Sequence, residues 1–232
     1  REKLDMLVEK LNSAVKISFD TETTSTNAMQ AELVGISLAI GEGAAFYIPV
    51  GHREADQQLP IQEVLDALRK PFNNPKIEKI GHNLKYDCLI LRNYGLDVSP
   101  LSFDTMIAAW VLEPASRRLG LKKMAEVELN VRMTHIDELI GSGKNQRTMD
   151  QVSVKDAAPY AGADAEIPLR LEHLLADRLD KNQLTSVFNE IEMPLVSVLA
   201  EMEFNGIAVD REFFAYFSKE LTQRITEIKE EM

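Results

Sequence analysis

Val15-Lys16-Ile17-Ser18-Phe19-Asp20-Thr21-Glu22-Thr23 is the stretch on which the fold turns. Val15, Ile17 and Phe19 alternate with Lys16 and Ser18, the period-two pattern of a β-strand. The strand runs into two carboxylates, Asp20 and Glu22, and side chains two apart on a strand emerge on the same face. Both acids therefore point into one small volume. Like charges held together repel and push at least one carboxyl toward protonation. A divalent cation removes the conflict, and hard oxygen ligands suit Mg2+ or Mn2+. The plain alternative is a polar strand end followed by the Thr/Ser-rich loop Thr21 to Thr26. A metal centre therefore requires further acids from elsewhere in the chain.

Outward from this strand, residues 1–12 read as a short helix leading into it. Residues 32–40 and 44–50 are strand-like and joined by Gly41-Glu42-Gly43, which predicts a hairpin. Residues 61–70 are helical by period and end at Pro71. Residues 76–81 read as a short strand, 84–94 as a helix closed by Gly95, 101–103 as a strand and 105–112 as a helix. Further helices are expected over 117–128 and from Ser153 or Asp156 to Leu179, with Pro159 in the first turn and Pro168 as a kink. From Val187 onward helices dominate, broken by a turn at Asn205-Gly206. Strands that first pair antiparallel and then alternate with helices predict an α/β fold. It is a mixed β-sheet flanked by helices and followed by a C-terminal helical segment.

The chain has 232 residues, enough for one well-cored domain and a smaller appendage. Its net charge of −11 argues against a nucleic-acid binder that relies on its own cations, because phosphate contacts need Lys and Arg. The charge fits a metal site built from acids, or binding helped by a basic partner. No apolar run approaches the roughly 18 residues of a membrane span, and residues 1–10 lack a signal-peptide core. The lone Cys88 cannot form an internal disulfide, which suits the cytoplasm. Arg1 in place of an initiator Met, and an end inside the helical run to Met232, suggest a piece of a longer protein.

Three later elements offer acids. Asn83 and Asp87 are spaced i, i+4 and are expected to share a helix face, as are Tyr160 and Asp164. Ala161, Gly162 and Ala163 between the latter pair leave room for another chain or a ligand. Asp104 follows a strand and is read as a helix cap. The polar, basic stretch 141–148 lacks P-loop spacing. It is either a plain surface loop or a contact to a nucleic-acid backbone through Lys144 and Arg147. His52, His82, His135 and His173 have no zinc-ligand spacing, and no G-x-S-x-G occurs.

Order and element type together make the set specific: Asp-x-Glu on the first strand, N-x-x-x-D on a middle helix, Y-x-x-x-D on a late one. The sequence resembles the 3′–5′ proofreading exonuclease domain of family A DNA polymerases, the bacterial DNA polymerase I group. "FDTETTS", "GHNLKYD", "FDTMIAAWVL", "GSGKNQRT" and "YAGAD" each look like its motifs, and residues 188–210 resemble the lead into its polymerase domain. The resemblance implies a ribonuclease H-like exonuclease domain over 1–187 and the truncated beginning of a polymerase domain over 188–232. It implies two divalent ions, Mg2+ or Mn2+. Asp20 would bridge both, Glu22 and Asp164 would complete the tighter site, Asp87 would hold the second ion through water, and Tyr160 would orient the attacking water. Thr21, Thr26, Asn83, Tyr86, Ile136, Lys144 and Arg147 would meet the substrate, a single-stranded or frayed DNA 3′ end. The partners implied are DNA and the polymerase domain of the same parent chain, in a monomer with no membrane association.

Two positions depart from the family pattern. Thr26 stands where a large apolar residue usually packs on the terminal base, and Ile136 stands where the bacterial enzyme places an aromatic. A ribonuclease D-like exoribonuclease would share the acids and the tyrosine, although the polymerase-like tail argues against it. A non-catalytic scaffold would be expected to have lost its carboxylates, and this chain keeps all four.

Overall fold

A computed structural model describes residues 1–54 and 58–231, with Asn145 described by its backbone alone. Helix α1 (Glu2–Ser13) leads into β1 (Lys16–Thr23), and β2 (Leu33–Ala39) and β3 (Ala45–Pro49) form the expected hairpin. Helix α2 (Ile61–Phe72) crosses to β4 (Glu78–Gly81), and α3 (Leu84–Asn93) to β5 (Phe103–Asp104), which runs directly into α4 (Thr105–Leu112). Then come α5 (Leu121–Leu129), the short α6 (Ile136–Ile140) and the long α7 (Val154–Lys181). Helix α8 (Thr185–Val187), a π-helical turn at Phe188–Glu192, α9 (Met193–Asn205) and α10 (Arg211–Glu231) complete the chain.

The sheet order is β3-β2-β1-β4-β5. β1 sits at the centre, antiparallel to β2 and parallel to β4, so the sheet is mixed as expected. The opening stretch is not half-exposed. Ile17, Ser18 and Phe19 are all buried, because helices cover both faces of this strand. On one face Ile17 and Phe19 pack with Leu7 and Leu11 of α1, Leu65 and Leu68 of α2, and Ile90 of α3. The Phe19 and Phe72 rings lie 5.2 Å apart. The other face carries α4, α5 and α7, whose core includes Ala108, Met124, Ala165 and Leu171 around Ile80 and Phe103.

Several boundaries differ from the sequence reading. The first strand extends past Asp20 to Thr23, so it carries both acids. Helix α2 continues through Pro71 to Phe72, whose buried ring anchors the last turn. The helix expected over 117–128 starts at Leu121, after Gly120 in an extended conformation. Helix α7 spans 28 residues, passing through Pro159 and Pro168, with Ser153 Oγ accepting from the Asp156 N–H at its start. Asn83 is not on the face of α3. It caps that helix at φ +60°, a left-handed conformation that asparagine tolerates better than most residues. Helix α6 was not anticipated; His135 and Glu138 close it with a reciprocal capping box.

The chain divides into two compact units, Arg1–Ala200 and Glu201–Met232. In the first, Phe188 is buried with its ring 4.8 Å from that of Phe103. In the second, Gly206 turns at φ +64° and Asp210 Oδ1 accepts from the Glu212 and Phe213 N–H groups at the start of α10. No helix among the described residues is long and apolar enough to cross a membrane.

Asp104 does more than the single cap expected of it. Its carboxylate accepts from the Met106 and Ile107 N–H groups of α4, and also from the Asn83 and Leu84 N–H groups at the start of α3. One buried side chain thus closes two helices at the C-terminal ends of the parallel strands. A lost cap costs about 1 kcal/mol. Asp104→Ala should therefore lower the unfolding free energy by about 2 kcal/mol, moving the urea midpoint down with an unchanged slope. A loss smaller than about 0.5 kcal/mol would show that the two helices do not depend on it.

Candidate active site

The sheet and α7 together build the site. Glu22 pairs across β1–β2 with Gly35, and a β-carbon at Gly35 would collide with the Tyr47 hydroxyl, so glycine is required there for Tyr47 to pack behind the strand. On the face of β1 that carries Ser18, Asp20 and Glu22, α7 lies close because its inner residues are small. Ala157, Ala161 and Ala165 are fully buried, and a β-carbon on Gly162 would touch that of Ala45 at 3.4 Å. The small residues of "YAGAD" therefore admit the sheet. The close approach brings Asp164 to β1, and carboxylate oxygens of Asp20, Glu22 and Asp164 all lie within 4.8 Å of one another.

Asp87 stands beside this trio. Its Oδ1 accepts from the Thr21 N–H at 2.8 Å and the Thr21 hydroxyl at 2.6 Å, which ties α3 to β1 between the two strand acids. Thr21 is largely buried and also lines the cleft above the acids. Tyr160 and Asp164 share one face of α7 as expected. Glu22 Oε1 is buried and has no hydrogen-bond partner. Three hard oxygen donors and one unsatisfied carboxylate oxygen fit a divalent cation of the Mg2+ class.

A cleft of about 770 Å3 opens over the acids. Asp20, Glu22 and Tyr160 lie at its floor, and the loop from Thr23 to Thr26 forms one wall. Tyr86 pins that loop, its hydroxyl 2.5 Å from the Thr23 hydroxyl and donating to the Ser25 carbonyl. Asn83 and Thr26 also face the cleft, as do Ile136 and Ile140 of α6 opposite. Arg147 lines it too, but its guanidinium donates to the Leu139 carbonyl at 2.7 Å, so it braces α6. Lys144 is exposed on a 3-10 turn, Gly143–Asn145, outside the lining.

Lys122 escaped the sequence reading. Its ammonium donates to both Asp164 oxygens at 3.2 Å and to the Tyr160 hydroxyl oxygen at 3.1 Å. The signal was present but faint: a lysine pair opening a helix that has no acid in its first turn, which the helix dipole disfavours.

A family model described as 3′-5′ exonuclease, of the DNA polymerase A group, matches residues 1–180. The chain belongs to that family. Among curated relatives, DNA polymerase I of Chloroflexus aurantiacus is 42% identical over 227 residues, which is 97% of this chain and 24% of that protein. The chain therefore spans about a quarter of the relative's length. Among solved structures, the POL domain of Pol1 from M. smegmatis in complex with DNA primer-template and dNTP shares the fold at a TM-score of 0.76. It is 20% identical and covers 97% of this chain and 35% of that one. RNase D of Escherichia coli shares it at 0.65, with 18% identity over 89% of this chain and 49% of that one. The ribonuclease H-like fold is thus shared on both sides, and the nuclease character of the domain follows from its family.

Burial makes the acids of this 3′-5′ exonuclease domain reluctant to ionise. Asp20 is raised well above the usual carboxylate range, first by its removal from water and then by Asp87, Glu22 and Asp164. Glu22 is pushed up to about 8 by burial, with Asp164 adding to the push and Lys122 opposing it. Asp87 reaches about 7 because burial outweighs its hydrogen bonds from Thr21. Burial also raises Asp164 against the pull of Lys122, and it raises Tyr160, so the phenol stays protonated at neutral pH.

Glu22 ionises near 4.5 in an unfolded chain and near 8 in the folded one, so between these values the folded state holds the extra proton. Stability without metal is then greatest below the lower value and falls as pH rises toward the upper one. In EDTA the melting temperature should fall by roughly 5–10 °C between pH 5 and pH 8, and Mg2+ should restore most of it at pH 8. A melting temperature that is flat or rising across that window in EDTA would contradict this account of the acids.

Proposed function

We propose that this domain hydrolyses the terminal phosphodiester at the 3′ end of single-stranded or frayed DNA, as the proofreading activity of a DNA polymerase I-like enzyme. The observation that carries the reading is the convergence of Asp20, Glu22 and Asp164 within 4.8 Å, with Asp20 and Glu22 lining an open cleft. An anionic phosphodiester cannot approach three carboxylates unless cations intervene. Asp20, Glu22 and Asp164 would hold one divalent ion, and Asp20 with Asp87 a second, Mg2+ or Mn2+ in each case. Bound there, the ions supply Lewis-acid chemistry, a lower pKa for the attacking water and stabilisation of the departing 3′-oxyanion.

The rest falls to the chain's own residues. Tyr160, protonated and reached by Lys122, orients the water through its hydroxyl. Thr21 holds Asp87 in place. Ile136 and Ile140 offer the terminal nucleotides an apolar wall, while Thr26 gives the opposite wall little to stack on. Asn83 and Tyr86 shape the strand-end side of the cleft. Lys144 and Arg147 add positive charge near the α6 wall, a help against the overall −11. Residues from 188 onward would lead into a polymerase domain of the same chain, a reading that rests on the relative's name; Phe188 itself still packs in the first compact unit, against Phe103. A monomer in the cytoplasm, where the free Cys88 thiol is stable, completes the proposal.

A second reading, a ribonuclease D-like exoribonuclease, draws on the fold shared with Escherichia coli RNase D. Single-turnover cleavage of matched DNA and RNA oligonucleotides separates the two. Single-stranded DNA should be shortened from its 3′ end with release of nucleoside 5′-monophosphates, fully dependent on Mg2+ or Mn2+. Asp20→Ala should abolish cleavage. Tyr160→Phe should lower kcat roughly 10- to 1,000-fold with little change in KM, the loss of one transition-state hydrogen bond. Strong preference for RNA would move the assignment to the second reading, and cleavage in excess EDTA would end both.

A further inference from the structure

Nothing in α5 itself explains why Lys122 points where it does. Lys122 and Lys123 open that helix at its positive end. Lys123 turns to solvent and pairs with Glu126 at 2.6 Å, an ordinary exposed pair. Lys122 turns inward. Its side chain keeps 20% of its exposure and that of Asp164 10%. The three donors of its ammonium meet three acceptors, the two Asp164 oxygens and the Tyr160 hydroxyl, and the nitrogen lies 4.3 Å from the centre of the Tyr160 ring. Every partner is a residue of the candidate site, and the Asp164 carboxylate it grips is the one that closes the trio with Asp20 and Glu22.

On the exonuclease reading given above, we infer that Lys122 is a positioning residue, an internal cation that seats Asp164 and Tyr160 when no metal is bound and that limits how tightly the acids hold divalent ions. An ammonium bonded to both oxygens of a carboxylate occupies the positions through which that carboxylate would hold a metal. An ion shared with Asp20 and Glu22 must displace the ammonium or bind beside it. A monovalent and a divalent cation roughly 5 Å apart repel by about ten times the thermal energy, even at an effective dielectric constant of about 20. Without metal, the same charge offsets repulsion among the carboxylates. A merely structural ion pair would do neither.

The test is Mn2+ affinity of the 232-residue chain, read by calorimetry or by the electron spin resonance of free Mn2+, for wild type, Lys122→Met and Lys122→Arg. Lys122→Met should bind Mn2+ about 10-fold or more tightly, with Lys122→Arg staying within about threefold of wild type. In EDTA, Lys122→Met should melt below wild type and gain more from Mn2+ than wild type does. If Lys122→Met is too unstable to measure, Lys122→Gln, which keeps a donor without the charge, should show the same tightening. Affinity equal to or weaker than wild type in the neutral variants would overturn the inference. Wild type binding no Mn2+ at all would instead refute the metal reading of the site, a distinguishable result.

Discussion

Mutual repulsion of buried carboxylates is the constraint to which the rest of this structure answers. Asp20 and Glu22 leave the central strand on one face, and Asp164 is pressed against them by α7. That proximity exists only because the interface is built from Ala157, Ala161, Gly162 and Ala165, which let the helix approach the sheet. The apolar face of the same strand, through Ile17 and Phe19, supplies the burial that holds the acids in place. Three devices temper the resulting strain: protonation pushed upward by burial, hydrogen bonds from Thr21 to Asp87, and the ammonium of Lys122. A divalent cation among the three carboxylates would offset the same repulsion, which fits the proposed metal centre.

Function here is set against stability. A core of this size would be more stable with apolar residues in place of the acids, because buried like charges destabilise. The parts around the site are correspondingly over-determined. Asp104 closes two helices beside it, Tyr86 pins the Thr23–Ser25 loop, and Arg147 ties α6 to the wall of the cleft.

Legibility in the sequence follows the range of the interactions. The strand acids were readable because period two places them together without any tertiary knowledge, and Tyr160 with Asp164 because i, i+4 does the same on a helix. The mixed sheet followed from the hairpin signal and the later alternation of strands and helices. Asn83 was misread because spacing cannot tell a helix face from a left-handed cap. Helix α6 was missed because five residues carry no period, and its stability lies in a capping box instead. Lys122 was hidden because its partners are 38 and 42 residues away and its own helix argues against it. The second cap made by Asp104 spans 20 residues and two elements, equally beyond local pattern.

The central claim is that Asp20, Glu22 and Asp164 form a divalent-metal centre. Anomalous diffraction from crystals of this chain soaked in Mn2+ tests it most directly. The account predicts a strong anomalous peak bounded by carboxylate oxygens of those three residues. Peaks only elsewhere on the surface, with the three carboxylates unliganded at millimolar Mn2+, would contradict it.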